Sequence, residues 1–466
     1  MSEVKVNKIT PTTDCGTVTL GDSGDTVAIP AGVTLTSGGA LQNSGTITNT
    51  GTITGVSITG TIDNQVNWQT TVKTTGFTAT AGEGYFCDTT SAAFTVTLPA
   101  SPSAGDLVGI KDYANTADTN NITIGRNGSN IEGVANDFLI TVEGGSITLI
   151  YVDATKGWLS TAAAKASDIT VQPLFTTATG GTITTSGDYK IHTFTGPGTF
   201  CVSQIGNSPT NPAGGPNTVS YMVVAGGGGQ TNPGHYNGGG GAGGFREGRD
   251  IAPSYTASPL VAPAGLTITA TAFPITVGGG GGANGSNSIF STITSTGGGG
   301  GGSPGQGQGN SGGSGGGGSP FGGANDQVGG AGNTPPVSPP QGNSGGTGKV
   351  ANPPTAAASG GGGGATAAGG NAGPASCVSG PGGAGATTSI SGSPTAYAGG
   401  GGGATYNGTP TGAPGGVGGG GNGGKYPNNP ASTNGTANTG GGAGGDAGFT
   451  NPTGGSGIVI IRYKFQ

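Results

Sequence analysis

Runs of consecutive glycine recur through the second half of the chain, at residues 226–229, 238–241, 278–282, 297–302, 315–318, 360–364, 399–403 and 418–421. They carry no side chains from which to build a core, and glycine loses more conformational freedom on ordering than any other residue. Such runs persist only where a Cβ would obstruct something or where no order is needed. The chain is therefore either disordered there or packed backbone against backbone.

Composition and context favour packing. Glycine supplies 110 of the 466 residues and proline 30, an aperiodic level that usually marks disorder. Disordered chains are normally solvated by charge, yet only 7% of this chain is charged, against about 25% in an ordinary domain. Between Ile251 and Ile461 the only charged residues are Asp326, Lys349, Lys425 and Asp446. Strand-like apolar segments, residues 219–224 and 458–463, bracket the glycine block and are able to pair and close it.

Polyproline-II-like polyglycine supplies an architecture for such a block. With about three residues per turn and no internal hydrogen bonds, each helix must satisfy its N–H and C=O groups on its neighbours. Only glycine lets the axes come close enough in a hexagonal array. Pure runs such as 297–302 are expected in the interior, and mixed ones such as 240–245 and 382–386 at an edge. Ordering costs roughly 1–2 kcal/mol per residue and a hydrogen bond returns about 0.5–1.5, so the runs must assemble together.

The net charge of −6 and the 14 Lys+Arg, scattered without a basic block, give no footprint for nucleic acid or an anionic membrane. The first residues lack an apolar signal core and no stretch reaches the length of a membrane span, so neither a leader nor an anchor is expected. Cys15, Cys87, Cys201 and Cys377 are widely spaced and read as buried free thiols rather than disulfides or zinc ligands.

Three regimes divide the chain. Residues 1–70 contain a near repeat centred on Ile47 and Ile53, loosely continued by Ile58 and Ile62. A single chain with so few apolar residues does not bury them, whereas three chains about an axis do, which predicts a slender trimeric β-stalk; a monomeric β-solenoid is the alternative. Residues 71–165 read as a small β-rich domain, with alternation at 94–98, 107–110, 122–125 and 147–152 and a hairpin signal at Asn127-Gly128. Residues 172–466 form the glycine-rich part, with strands expected at about 180–225 and 457–465 around polyglycine-II helices. The fold class is mostly β.

Particular stretches of the middle region, 84–90, Leu98-Pro99, 121–126, 148–152 and Lys156-Gly157-Trp158, resemble a module of tailed-bacteriophage tail fibres. The remainder is similar to the glycine-rich domain that ends such fibres and related adhesins, through 187–195, 198–200, 222–226, 243–248 and 454–460. That resemblance implies a polyglycine-II sandwich, a virion location after synthesis in the host cytoplasm, attachment to other tail or baseplate proteins through the N-terminal region, and a host surface protein or polysaccharide as the target.

Catalytic readings are thin. Glycosidic cleavage needs two carboxyl groups within about 5–10 Å, and the distal region offers only the isolated Asp326 and Asp446. Asp106, Asp112, Asp118, Asp137 and Asp153 read as turn residues. Lys349 lacks the following hydroxyl of a phosphate loop, residues 441–446 match only the front of a calcium nonapeptide, and His192 has no partner ligands in sequence. No catalytic residue, cofactor or metal is expected. What remains is recognition: segments between glycine runs carry His235, Tyr236 and Asn237, then Tyr406 and Asn407, then Tyr426 and Asn428, alongside 306–310 and 333–343. Tyrosine faces and amides suit adaptable binding surfaces, although Asn and Pro are also ordinary turn residues. The reading is a homotrimeric, non-enzymatic fibre with a receptor-binding tip. A purely structural tail or cell-wall protein and a polysaccharide depolymerase stand as alternatives.

Overall fold

A computed structural model describes residues 66–161, 169–208, 214–230, 236–250, 255–320, 326–350, 357–373, 378–406, 411–427, 429–448 and 450–466, all within one compact unit, Asp63–Gln466. Every regular element among the described residues is a strand; there is no helix and no closed barrel. The isoleucine repeat of the expected stalk, and Cys15 with it, lies outside the described residues.

The first ten strands are β1 (Asn67–Lys73), β2 (Phe77–Thr78), β3 (Glu83–Cys87), β4 (Phe94–Thr97), β5 (Leu107–Asp112), β6 (Ile122–Gly125), β7 (Phe138–Ile140), β8 (Ser146–Asp153), β9 (Gly157–Ser160) and β10 (Ile169–Val171). They make two five-stranded sheets, ordered β1-β3-β5-β8-β9 and β10-β7-β6-β4-β2. Successive strands from β1 to β6 alternate between the sheets, and β1-β3-β5 and β2-β4-β6 pair in parallel. The chain thus coils like a short solenoid before antiparallel strands finish it. Asn127-Gly128 does form a turn with positive φ at both residues (48° and 90°), but it does not make the expected tight hairpin. β6 pairs with β7 only after the excursion through Ile131 and Val134, with Ile122 opposite Ile140. Inward residues of both sheets, among them Val108, Ile110, Leu149 and Trp158 from one and Val96, Leu98, Ile124 and Ile140 from the other, form a single core.

Six further strands are β11 (Thr177–Thr179), β12 (Thr182–Ser186), β13 (Tyr189–Phe194), β14 (Gly198–Gln204), β15 (Thr218–Val224) and β16 (Phe245–Gly248). β15 pairs antiparallel with the C-terminal strand Ile458–Lys464, from Ser220 opposite Arg462 to Val224 opposite Ile458. Both lie in a sheet ordered β12-β13-(458–464)-β15-β16-(261–262). One face, with Val219, Tyr221, Val223, Val459 and Ile461, packs on Phe200, Ile275 and Phe290 of the neighbouring sheet that contains β11 and β14. The other, with Met222, Val224, Ile458 and Ile460, packs on Ala242, Phe245, Ile390 and Tyr397. Burial on both faces explains why these strands read as continuous apolar runs.

The glycine runs extend from the ends of these strands and bond to one another in rows. In the run that enters β16, the N–H groups of Gly238, Gly241 and Gly244 donate to Gly302, Gly299 and Thr296; those of Gly239 and Ala242 to Gly360 and Gly363; and those of Gly240 and Gly243 to Ala443 and Gly440. In return Gly239 and Ala242 accept from Gly317 and Ser314, Gly241 and Gly244 from Gly228 and Ala225, and Gly240 from Gly401. Every third residue meets the same neighbour, and the run has six of them. The same arrangement surrounds 360–365, which donates to 315–318, 367–370 and 398–401 and accepts from 239–242, 343–346 and 380–383. A Cβ at Gly240 or Gly362 would come within 3.0 Å of a neighbouring backbone.

The edge assignment of 240–245 therefore changes. The mixed run 240–245, expected at an edge, is ringed by six neighbours as 360–365 is, because the Cβ of Ala242 leaves the lattice into the apolar core beneath the sheet. The pure run 297–302 is buried, yet one of its rows ends on side chains: Gly297 and Gly300 donate to Oδ1 of Asn287 and Asn284 at 3.0 and 2.9 Å. Asparagines three residues apart stand in for a missing backbone.

Candidate functional site

The ends of the runs farthest from the sheet define the candidate site. Residues 349–350, 357–358 and 405–406 form a small three-stranded sheet there, extended by a parallel bridge from Thr405 to Lys425. Gln230 sits at the same end, its Nε2 donating to Gly444 O at 2.8 Å. Tyr236 opens the central run with a φ of 70°, a left-handed conformation that costs a non-glycine residue. It is held there by its own carbonyl, which accepts from Ser319 Oγ at 3.0 Å and Ser359 Oγ at 2.8 Å.

The three tyrosines singled out in sequence meet. The Tyr236 ring centroid lies 4.7 Å from that of Tyr406 and 6.0 Å from that of Tyr426, and Tyr406 lies 5.3 Å from Tyr426. They form one half-buried cluster, Tyr236 edge-to-face with both others and Tyr406 tilted against Tyr426, each contact worth about 0.5–1.5 kcal/mol. Tyr426 N–H donates to Thr405 O at 3.0 Å, which fixes the second and third rings to each other's backbone. Burial, then the neighbouring phenols of Tyr406 and Tyr426, push the Tyr236 hydroxyl up to about 12, so it stays protonated. The Tyr406 hydroxyl makes no hydrogen bond to any described residue.

The remaining sequence-picked residues divide. Asn237 is buried inside the lattice, its N–H donating to Asp446 O at 3.0 Å, so it belongs to the scaffold rather than to an exposed loop. His235, Asn407 and Asn428 lie outside the described residues, as does Cys377. In the 333–343 segment, Asn333 accepts from the Val337 and Gln341 N–H groups and Asn343 donates to Gly364 O and Ala365 O, so these amides also complete the scaffold.

Charge is sparse at this end. Lys349 pairs with Asp326 at 3.5 Å, and Lys425 is half-buried. Asp446 is fully buried and its carboxylate accepts from Gly448 N, Thr450 Oγ1, Ser432 Oγ and Asn451 N, an Asx turn reinforced by hydroxyls. Among the earlier carboxylates, Asp153 caps a turn through Thr155 and Lys156 N–H. Asp112, by contrast, is not a turn residue: it lies on β5, buried, accepting from Ala117 and Gly144 N–H. Cys87 is buried as expected, its thiol pushed up to about 12 by burial, whereas Cys201 is exposed on β14. His192 is buried with both ring nitrogens bonded, to Gly180 O at 2.7 Å and to the Tyr463 hydroxyl at 3.1 Å.

Two residues that sequence reasoning passed over hold the base of the block. Glu247 is buried and accepts from Thr388 Oγ1 at 2.6 Å and Ser258 N at 2.9 Å. Arg462 lies over the rings of Tyr189 and Tyr255, 4.8 and 5.4 Å from their centroids, and burial lowers its pKa. The available signal was a charge inside each of two otherwise buried strands of a nearly uncharged domain.

A family model described as a glycine-rich domain matches residues 202–464, from within β14 to the last residue of the C-terminal strand. The chain belongs to the glycine-rich domain family. The glycine-rich domain so defined contains the tyrosine cluster, Glu247, Arg462 and every glycine row described above, and leaves out the two-sheet solenoid and His192. No curated protein matches the chain.

Proposed function

We propose that the protein is a non-enzymatic tail-fibre component of a bacteriophage virion that adsorbs to a bacterial surface through the far end of its glycine-rich domain. In this reading the glycine runs are polyglycine-II helices, the N-terminal residues 1–70 form a trimeric stalk that joins other tail or baseplate proteins, and the partner is a surface protein or polysaccharide of the host. The observation that carries it is the tyrosine cluster. A scaffold bonded through its backbone delivers three aromatic residues from segments about 170 and 20 residues apart to one end and clamps them there. The three-residue period of the bonds supports the helix type, since polyproline-II-like chains repeat every three residues.

The test is adsorption of purified full-length protein to candidate host cells, with competition against phage infection as a second readout. Saturable binding to a host strain, lost when the tip tyrosines are changed, is the expected outcome. Binding to no strain leaves the structural-protein reading, and release of reducing sugar from host envelope replaces the proposal with a depolymerase. Light scattering tests the stalk separately, because a monomeric mass removes the trimer without touching the tip.

A further inference from the structure

We infer that Tyr236, Tyr406 and Tyr426 form a carbohydrate site that takes an uncharged glycan, an inference that rests on the reading of this end as the receptor-binding tip. Three observations carry it. First, the rings are packed at 4.7–6.0 Å, Tyr236 edge-to-face with both others and Tyr406 tilted against Tyr426, which presents ring edges and phenol groups together; pyranose C–H faces rest on aromatic rings while phenols and amides exchange hydrogen bonds with sugar hydroxyls. The Tyr406 hydroxyl is uncommitted within the described chain, and the Tyr236 hydroxyl stays protonated.

Second, the site is rigid. Tyr236 is clamped through its carbonyl by Ser319 and Ser359, Tyr406 lies in a strand opposite Ala357, and Tyr426 is bonded to Thr405. A fixed arrangement suits a small ligand with repeating geometry, because little ordering cost is left to be met on binding.

Third, charge is nearly absent. Asp326 and Lys349 neutralise each other at 3.5 Å, and the Asp446 carboxylate is buried under four donors. Lys425 remains as the single basic group beside the cluster among the described residues. An acidic polysaccharide or a charged protein face is better matched by several cations.

The experiment applies full-length protein to an array of immobilised neutral hexose and N-acetylhexosamine oligosaccharides and of uronic-acid and phosphorylated glycans. Retention on neutral glycans is expected, unchanged between about 50 and about 500 mM salt because no ion pair is being screened. Replacing all three tyrosines by Phe should lower retention about tenfold or more, with Tyr406→Phe contributing most, and Tyr406→Phe alone should leave circular-dichroism melting unchanged because its ring remains. Lys425→Gln should stay within about twofold. Retention on no glycan, on acidic glycans alone, or undiminished in the triple Phe protein overturns the inference. Host-cell adsorption measured in parallel separates the two levels: adsorption that persists without glycan retention removes only the carbohydrate assignment, in favour of a protein receptor, and loss of both removes the tip reading as well.

Discussion

The two-sheet solenoid and the glycine block solve the same problem with opposite materials. In the solenoid, side chains such as Leu98, Ile124 and Trp158 fill the space between sheets, and backbone bonds stay within each sheet. In the block, the space between runs is filled by the backbone itself, and bonds radiate to six neighbours. The first tolerates a lost methyl group at the cost of a cavity; the second has no room for a gained one. Stability in the block depends on what each residue lacks.

The largest effect that would test this contrast is Gly362→Ala. Its new methyl group meets Gly240 backbone in the centre of the lattice, and the loss should exceed about 4–5 kcal/mol, a range that single changes reach only exceptionally. Calorimetry that shows the variant melting with the parent protein would break the comparison. Next comes Leu98→Ala, which leaves a cavity in the solenoid core and should cost about 2–5 kcal/mol by calorimetry.

A smaller, pH-dependent effect should appear where the sheet carries His192. Burial holds its pKa below 6.5, so the unfolded chain binds a proton that the folded site resists, and its contribution is full above about pH 6.5 and lost as pH falls toward the lowered folded value. Melting followed from about pH 7.5 to about pH 5 should fall, and His192→Phe should flatten that part of the curve. An equal slope in both proteins would assign it elsewhere. Smaller still, Asn287→Ala should cost about 0.5–1.5 kcal/mol by removing the acceptor for Gly297. Least of all, Gly279→Ala should be neutral or stabilising by about 0.4–1 kcal/mol, since nothing lies within 4 Å of the added carbon. A Gly279→Ala loss comparable to that of Gly362→Ala would mean that glycine is needed here for its conformation rather than for the space it leaves.

Parts of this architecture were legible in sequence for identifiable reasons. The pairing of β15 with 458–464 could be read because both segments carry β-branched residues on both faces and flank a glycine-rich segment with few apolar runs of comparable length. Close approach of the glycine runs followed from the absence of Cβ atoms. Their order in the lattice did not, because runs of one residue type carry no register; it is set by the few residues that differ, such as Ala242 entering the core and Asn284 and Asn287 closing a row. The solenoid was hidden because an alternating strand looks the same whether its partner runs parallel or antiparallel. The tyrosines were each visible, but their meeting depends on lattice order and so was not. Asn237 and Asn343 were read as binding or turn residues because their bonding partners are backbone groups of distant runs, whereas Asn333 does close a local turn through the Val337 and Gln341 N–H groups.

The bond from Gly227 N–H to Gly455 O, and the strand pairing beside it, also govern when the domain is able to form during synthesis. β15 leaves the ribosome more than two hundred residues before its antiparallel partner Ile458–Lys464, so the central sheet lacks a strand, and the rows lack one of their walls, until translation has passed that partner. Contacts of such sequence separation close slowly. A chain terminated before Ile458 would therefore leave the central sheet and the glycine rows beside it unclosed.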